Sequence, residues 1–254
     1  MSPTLYNVFV HDLPDTPYHT KNFSYADDIT QLIITHPRKD FHVEKVGQEI
    51  ERINEYEKKW KIQTNLSKFK VVHLDRRTYP EIRAGNRVIQ SSVTGTMLGL
   101  NFTRTGFSAH VRKIREKVIP DMRRLWSMRE MGMDSKRKVF EAIITSKMTY
   151  PSVPLHCANI TSMRILQRIQ NTGARFITGI SRLERKTSKY INERAGLRPI
   201  NLILYERALK TWNKIRTTMR EEFEGVYTYR APSKKSWPLS IPVVLGGEPP
   251  EMYG

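Results

Sequence analysis

Two aspartates, Asp27 and Asp28, stand side by side in the run FSYADDITQLIIT, residues 23–35, between an aromatic stretch and a β-branched, apolar one. Aspartate is a common turn former, so a hairpin turn accounts for the pair by itself. A chemical reading also exists. Adjacent carboxylates repel by about 1 kcal/mol in water at about 4 Å, and a buried pair needs a cation. Hard cations such as Mg²⁺ take oxygen ligands and keep places for substrate phosphates, so the pair suits a two-metal site for phosphoryl transfer. The second chemically loaded group is cationic. Arg112, Lys113, Arg115, Lys117, Arg123 and Arg124 crowd one helical stretch, with Glu116 and Asp121 as the nearby acids. Charge pairing does not account for that excess, which leaves a solvated helix face or a stripe for phosphates. Lys68 is by type alone an ordinary surface lysine. His36, His42, His73, His110 and His156 have no metal-ligand spacing. Trp126, Phe176 and Trp212 lie on or near apolar helical positions and read as core.

The elements that would position these groups follow from periodicity. Ser2-Pro3 starts a helix that Leu5, Val8 and Phe9 continue and Pro14 ends. A helix so close to the first residue reads as a chain cut from something longer. The runs on either side of Asp27-Asp28 predict a β-hairpin with the two acids at its turn. A helix over 40–60 should bury Val43, Val46, Ile50, Ile53 and Trp60 and pair Glu55 with Lys59 and Glu57 with Lys61 on its outer face. A strand over 69–74, a hairpin over 81–90 turning at Ala84-Gly85-Asn86, and a glycine-interrupted strand pair over 93–102 come next. After Gly106 the pattern becomes helical. Val111, Ile114, Val118, Met122 and Leu125 share one face, and Pro120 should kink or divide that helix. Further helices are expected over 135–148 on Val139, Phe140, Ile143 and Ile144, over 161–177 on Leu166, Ile169, Gly173 and Phe176 with Thr161 as its start, and over 188–195 and 201–223. Residues 224–254 are rich in Pro and Gly without periodicity and read as a loose tail.

The 254 residues carry 43 Lys and Arg against 25 Asp and Glu, a formal net charge of +18. A charge that large points to a polyanion as partner. The one cysteine, Cys157, excludes an internal disulfide and a cysteine-rich zinc site. No secretory leader and no apolar run of about 20 residues is visible. The expected setting is intracellular, cytoplasm or nucleus, with no membrane contact.

YADD at residues 25–28 resembles the metal-binding hairpin of reverse transcriptases. Its neighbours arrive in the matching order. SPTLYNVFVHDLP resembles the block before that hairpin in non-long-terminal-repeat retrotransposon polymerases, and WKIQTNLSKFKVVHL resembles the block after it. YPEIRAGNRVIQSSVTGTMLGLNF looks like the strand and primer-grip segment. FSAHVRKIREKV and the following helices look like the thumb of insect elements of the jockey type. The resemblance covers roughly residues 1–220 and implies an α+β chain: the latter part of a palm over 1–105, a small antiparallel sheet backed by helices, then an all-α thumb over 106–223. It implies RNA-directed DNA polymerase chemistry with Mg²⁺ on an RNA template and DNA primer. Asp27 would be the main metal ligand and Asp28 the second carboxylate. Tyr25 and Ala26 would shape the turn near the primer end, and Lys68 would approach the departing pyrophosphate. Ser2 and Pro3 would lie beside template and nucleotide. Leu98 and Gly99 would belong to the primer grip, and the six cations would hold duplex phosphates. The family's third carboxylate comes from a strand upstream of Ser2. Asp12 and Asp15 do not replace it, and the fingers are also missing. The expectation is a chain inactive by itself that works with an N-terminal polymerase segment. The alternative is a non-catalytic nucleic-acid-binding remnant acting through its basic helices.

Overall fold

The computed structural model describes residues 4, 20–25, 28–33, 39–62, 69–73, 81–84 and 87–218. The expected first helix and the tail lie outside them. The chain forms two compact units, Met1–Gly99 and Leu100–Gly254.

In the first unit, β1 (Thr20–Tyr25) and β2 (Asp28–Ile33) form an antiparallel pair. A 22-residue helix, α1 (Lys39–Trp60), follows. Val46 and Ile50 of α1 bury against Ile82 and Ile89, with Ile33, Phe69 and Val71 packed around them. Ile82 and Ile89 face one another across β4 (Glu81–Ala84) and β5 (Arg87–Ser92), a cross-strand pair of β-branched side chains that pins this register. β3 (Val71–Val72) runs parallel to β5. A single antiparallel sheet was expected. The described strands instead form three small sheets, one containing a parallel pair. β3 pairs with a strand that does not follow it directly, so no hairpin dictates its direction.

Two details of α1 depart from the pattern. Glu57 is buried rather than on the outer face, and Tyr56 is buried where Trp60 was expected, Trp60 being 38% exposed. The helix ends there. Lys61 takes a φ of 52°, and the Ile62 N–H donates to the Glu57 carbonyl at 3.1 Å, a left-handed C-cap built without glycine.

β6 (Thr94–Met97) leads into a two-residue turn, Leu98-Gly99, and then β7 (Leu100–Thr103). Both turn residues have positive φ, 47° and 81°. Tight hairpins favour that geometry because it matches the strand twist.

The second unit is helical after β7. α2 (Ser108–Trp126) buries the five apolar residues that its periodicity named. Pro120 sits inside α2 and does not divide it. Proline leaves the carbonyl four residues back without its helical donor, and Glu116 and Pro120 are both exposed, so water can serve that carbonyl. α3 (Met133–Phe140), a π-helical turn (Glu141–Thr145) and α4 (Ser146–Met148) run on continuously. The wide turn spaces the buried residues by fours, at Phe140, Ile144 and Met148, and leaves Ile143 37% exposed against expectation. A short helix, α5 (Ser152–His156), follows a cis Tyr150-Pro151 bond. Its length and prolines hid it from periodicity. α6 (Ile160–Thr178) starts one residue before Thr161. Its N-cap is Asn159, whose Oδ1 accepts from the Ser162 N–H at 2.9 Å, and Gly179 closes it at a φ of 72°. α7 (Ser188–Arg194) and α8 (Ile200–Thr218) complete the unit. One core joins α2, α3, α4, α5, α6, α7 and the start of α8, and each fully buried Leu, Ile, Phe or Met contributes about 1.5–3 kcal/mol. The chain is mixed α+β among the described residues.

Candidate functional site

The acidic hairpin is built by alternation. Tyr25 pairs with Asp28, Phe23 with Thr30 and Asn22 with Gln31. Asp28, expected in the turn, is therefore the first residue of β2. The Gln31 amide donates to Asn22 Oδ1 at 3.0 Å across the strands. Successive side chains of a strand take opposite faces. Asp28, Thr30 and Leu32 share one face with Phe23, while Ile33 on the other face packs into the core of the first unit. Asp28 is exposed, as are Phe23 and Leu32 on its face, at 49% and 42%, and Ile29 on the other, at 43%.

Carboxylate oxygens have the right chemistry for Mg²⁺. Among the described residues, however, no three His, Cys, Asp or Glu side chains come together. Asp27, Ala26, Lys68, Ser2 and Pro3 lie outside the described residues, and Tyr25 is placed by its backbone. Asp28 alone does not make a metal site. Leu98 and Gly99 occupy the turn before β7, with Leu98 45% exposed.

The basic helix is described throughout, and it separates into two faces. At about 100° per residue, Arg112, Arg115, Ile119, Arg123 and Trp126 fall on one side, with Glu116 at its margin. Lys113, Lys117 and Arg124 fall on another. The single stripe expected from sequence is thus two rows, and their surroundings differ. Lys113 donates to Asn101 Oδ1 at 3.1 Å. Arg124 lies 3.9 Å from Asp121, whose carboxylate also takes the Lys147 ammonium at 2.6 Å. Lys113 and Arg124 are therefore occupied within the fold. Arg112, Arg115 and Arg123 are exposed and make no hydrogen bond or ion pair with any described residue. Lys117, on the second face, is likewise exposed and without a partner among the described residues, so four of the six cations are left available to a partner.

The aromatic residues divide as well. Phe176 and Trp212 are core, at 2% and 3% exposure. Trp126, also read as core, is 44% exposed. It meets the Phe176 ring at a centroid distance of 5.7 Å and an interplanar angle of 66°. A cation that periodicity missed, Lys136, is buried with its amine 5.7 Å from the Phe176 ring centroid. His110 is a satisfied core histidine. Its Nδ1 accepts from the Asn101 N–H at 3.2 Å, and its Nε2–H donates to the Tyr150 carbonyl at 3.0 Å. No described helix is long and apolar enough to cross a membrane.

Comparison with known proteins gives one relation of note. Over 201 residues the chain is 26% identical to a Drosophila melanogaster protein named "Probable RNA-directed DNA polymerase from transposon X-element". The match takes in 74% of this chain and 22% of that protein, so the chain spans about a fifth of the relative's length. No family model matches the chain, and no solved structure matches it.

Proposed function

We propose that this chain is part of an RNA-directed DNA polymerase of a jockey-like, non-long-terminal-repeat retrotransposon, carrying the end of the palm and a helical thumb. The observation that carries the reading is YADD at a two-stranded hairpin, with Asp28 exposed at the start of its second strand, in a chain similar to a transposon polymerase. In this reading Asp27 and Asp28 hold Mg²⁺ together with a third carboxylate that the 254 residues do not contain. The ions would supply charge stabilisation for nucleotidyl transfer. Lys68 serves the leaving pyrophosphate, and Tyr25, Ala26, Ser2, Pro3, Leu98 and Gly99 border the primer and template. The test is primer extension on an RNA template with Mg²⁺. The chain alone should incorporate nothing. Joined to the upstream polymerase segment of the similar transposon protein, it should incorporate nucleotides and lose that activity in Asp27→Ala. Incorporation by the chain alone would overturn the inactive-alone part of the reading. Failure of the joined protein to extend, with both parts folded, would count against the whole.

The unpaired Arg112, Arg115 and Arg123 also support a second reading, nucleic-acid binding without catalysis. Three phosphate contacts give a salt slope of about −2.7, or about a 40-fold loss of affinity between about 50 and 200 mM salt. Arg123→Gln should reduce that slope to about −1.8. A salt-independent affinity for duplex, measured by anisotropy, would refute it.

A further inference from the structure

We infer that Trp126 is a stacking platform for an unpaired base, and that the α2 row ending at it takes single-stranded nucleic acid. The inference rests on the phosphate-binding reading of the same row and adds what lies at its end.

Four observations carry it. Trp126 is 44% exposed, although it sits on the helix that supplies five residues to the core. Its position on the ring of α2 is not accidental spill from that core: it continues the outward face of Arg112, Arg115, Ile119 and Arg123. The contact with Phe176, at 66° between ring planes, is unstacked. That contact holds the indole in place and leaves at least one of its faces for another ring. The indole N–H has no acceptor among the described residues, so it remains able to donate to a phosphate or a base edge.

The rest of the row selects the occupant. Arg112 and Trp126 are about 21 Å apart along the axis, at about 1.5 Å per residue. Arg115 and Arg123 lie between them, and Glu116 is the one acid on that side. A positively charged track ending in an aromatic face is the arrangement that holds a single strand: phosphates follow the cations and a base stacks on the ring. A duplex keeps its bases stacked on one another and can use the cations but not the indole face. A protein partner could cover Trp126 and the exposed Ile119, but it would need to be strongly acidic to match three unpaired arginines.

The experiment uses the full chain and two fluorescein-labelled probes, an oligo(dT) about 16 nucleotides long and a duplex of the same length, read by anisotropy at several salt concentrations. Trp126→Leu keeps apolar cover over Phe176 and removes the aromatic face, and Trp126→Tyr restores a ring. Stacking of one base is expected to make oligo(dT) binding about 5- to 150-fold weaker in the Leu variant. The Tyr variant should stay within about threefold of the parent, and duplex binding should change by less than about twofold in both. Equal losses for oligo(dT) and duplex would show that Trp126 acts through the fold and would overturn the inference. So would an unchanged oligo(dT) affinity in Trp126→Leu. If the parent binds both probes with a steep salt slope while Trp126→Leu has no effect, this inference falls and the phosphate reading stands. If the parent binds neither probe at low salt, both fall.

Discussion

Gly173, in the middle of α6, faces the ring of Phe140. An ideal Cβ built there would lie 2.7 Å from Phe140 Cδ2, with two further ring carbons closer still. Carbon atoms in contact normally stand about 3.5–4.0 Å apart, so in Gly173→Ala the ring must retreat by about an ångström or more. It has little room, because Phe140 is fully buried and protein interiors pack at a density of about 0.74. Two effects compete. Alanine in place of glycine within a helix gains about 1 kcal/mol. Overpacking costs about 1–3 kcal/mol and occasionally more, and an overlap with three atoms of a rigid ring belongs at the upper end. The net expectation is a loss of about 1–3 kcal/mol. The assay is denaturant unfolding followed by far-ultraviolet circular dichroism. Phe140→Leu supplies the control: it shrinks the group that must move. The double variant should be at least about 1 kcal/mol more stable than the sum of the single losses predicts. A Gly173→Ala protein as stable as the parent, or losses that simply add, would refute the reasoning.

Two more expectations follow from the helical unit. Asn159 caps α6 through Oδ1 and donates from Nδ2 to Ser108 Oγ at 3.1 Å, tying α6 to the start of α2. Asn159→Ala should cost about 1–2 kcal/mol, and Asn159→Asp, which keeps the cap acceptor and can accept from the Ser108 hydroxyl, should lose clearly less by the same unfolding assay. His156, beside Tyr205, has its pKa lowered from 6.5 by burial. Above 6.5 it is neutral in both folded and unfolded chains. As pH falls below that value the unfolded chain takes up the proton first, so stability declines until the lower folded pKa is reached and then levels. Unfolding free energies measured between about pH 7.5 and 5 should therefore fall for the parent and fall less for His156→Gln. Equal slopes would remove His156 from the account.

Helical periodicity placed the core of the second unit well. The apolar positions of α2 and the Leu166, Ile169, Gly173 and Phe176 face of α6 are buried as spaced, because a helix in contact with one layer has little choice of face. Periodicity did less well where a local irregularity changes the phase. The π-turn after Phe140 moves Ile143 outward, and it leaves no mark in residue type. The basic helix shows a different limit. Counting its cations identified the charge but not its distribution, since that depends on Asn101, which β7 brings to Lys113, and on Asp121 of the same helix, which Arg124 shares with Lys147 of α4. Nor could composition tell Trp126 from Trp212: both fall near an apolar stripe, and the exposure of one follows from how α2 ends beside α6.

The expected turn took in Asp28, and finding that residue in a strand has a larger physical consequence than the one-position shift suggests. Turn propensity favours an Asp-Asp pair at the turn. The apolar run after the acids, with Ile29, Leu32, Ile33 and Ile34, does not alternate cleanly, so it could not correct the register. Pairing settles it: with Tyr25 opposite Asp28, Asp28 belongs to a strand. Its carboxylate is then committed to the face of Thr30 and Leu32, away from the side on which Ile33 enters the core. A slip of one residue would turn every side chain of β2 to the other face. It would put Asp28 on the core side and Ile33 in solvent. Packing of the partly buried Ile33 therefore does two things at once: it anchors the hairpin to the core of the first unit, and it fixes the Asp28 carboxylate on the opposite face of β2.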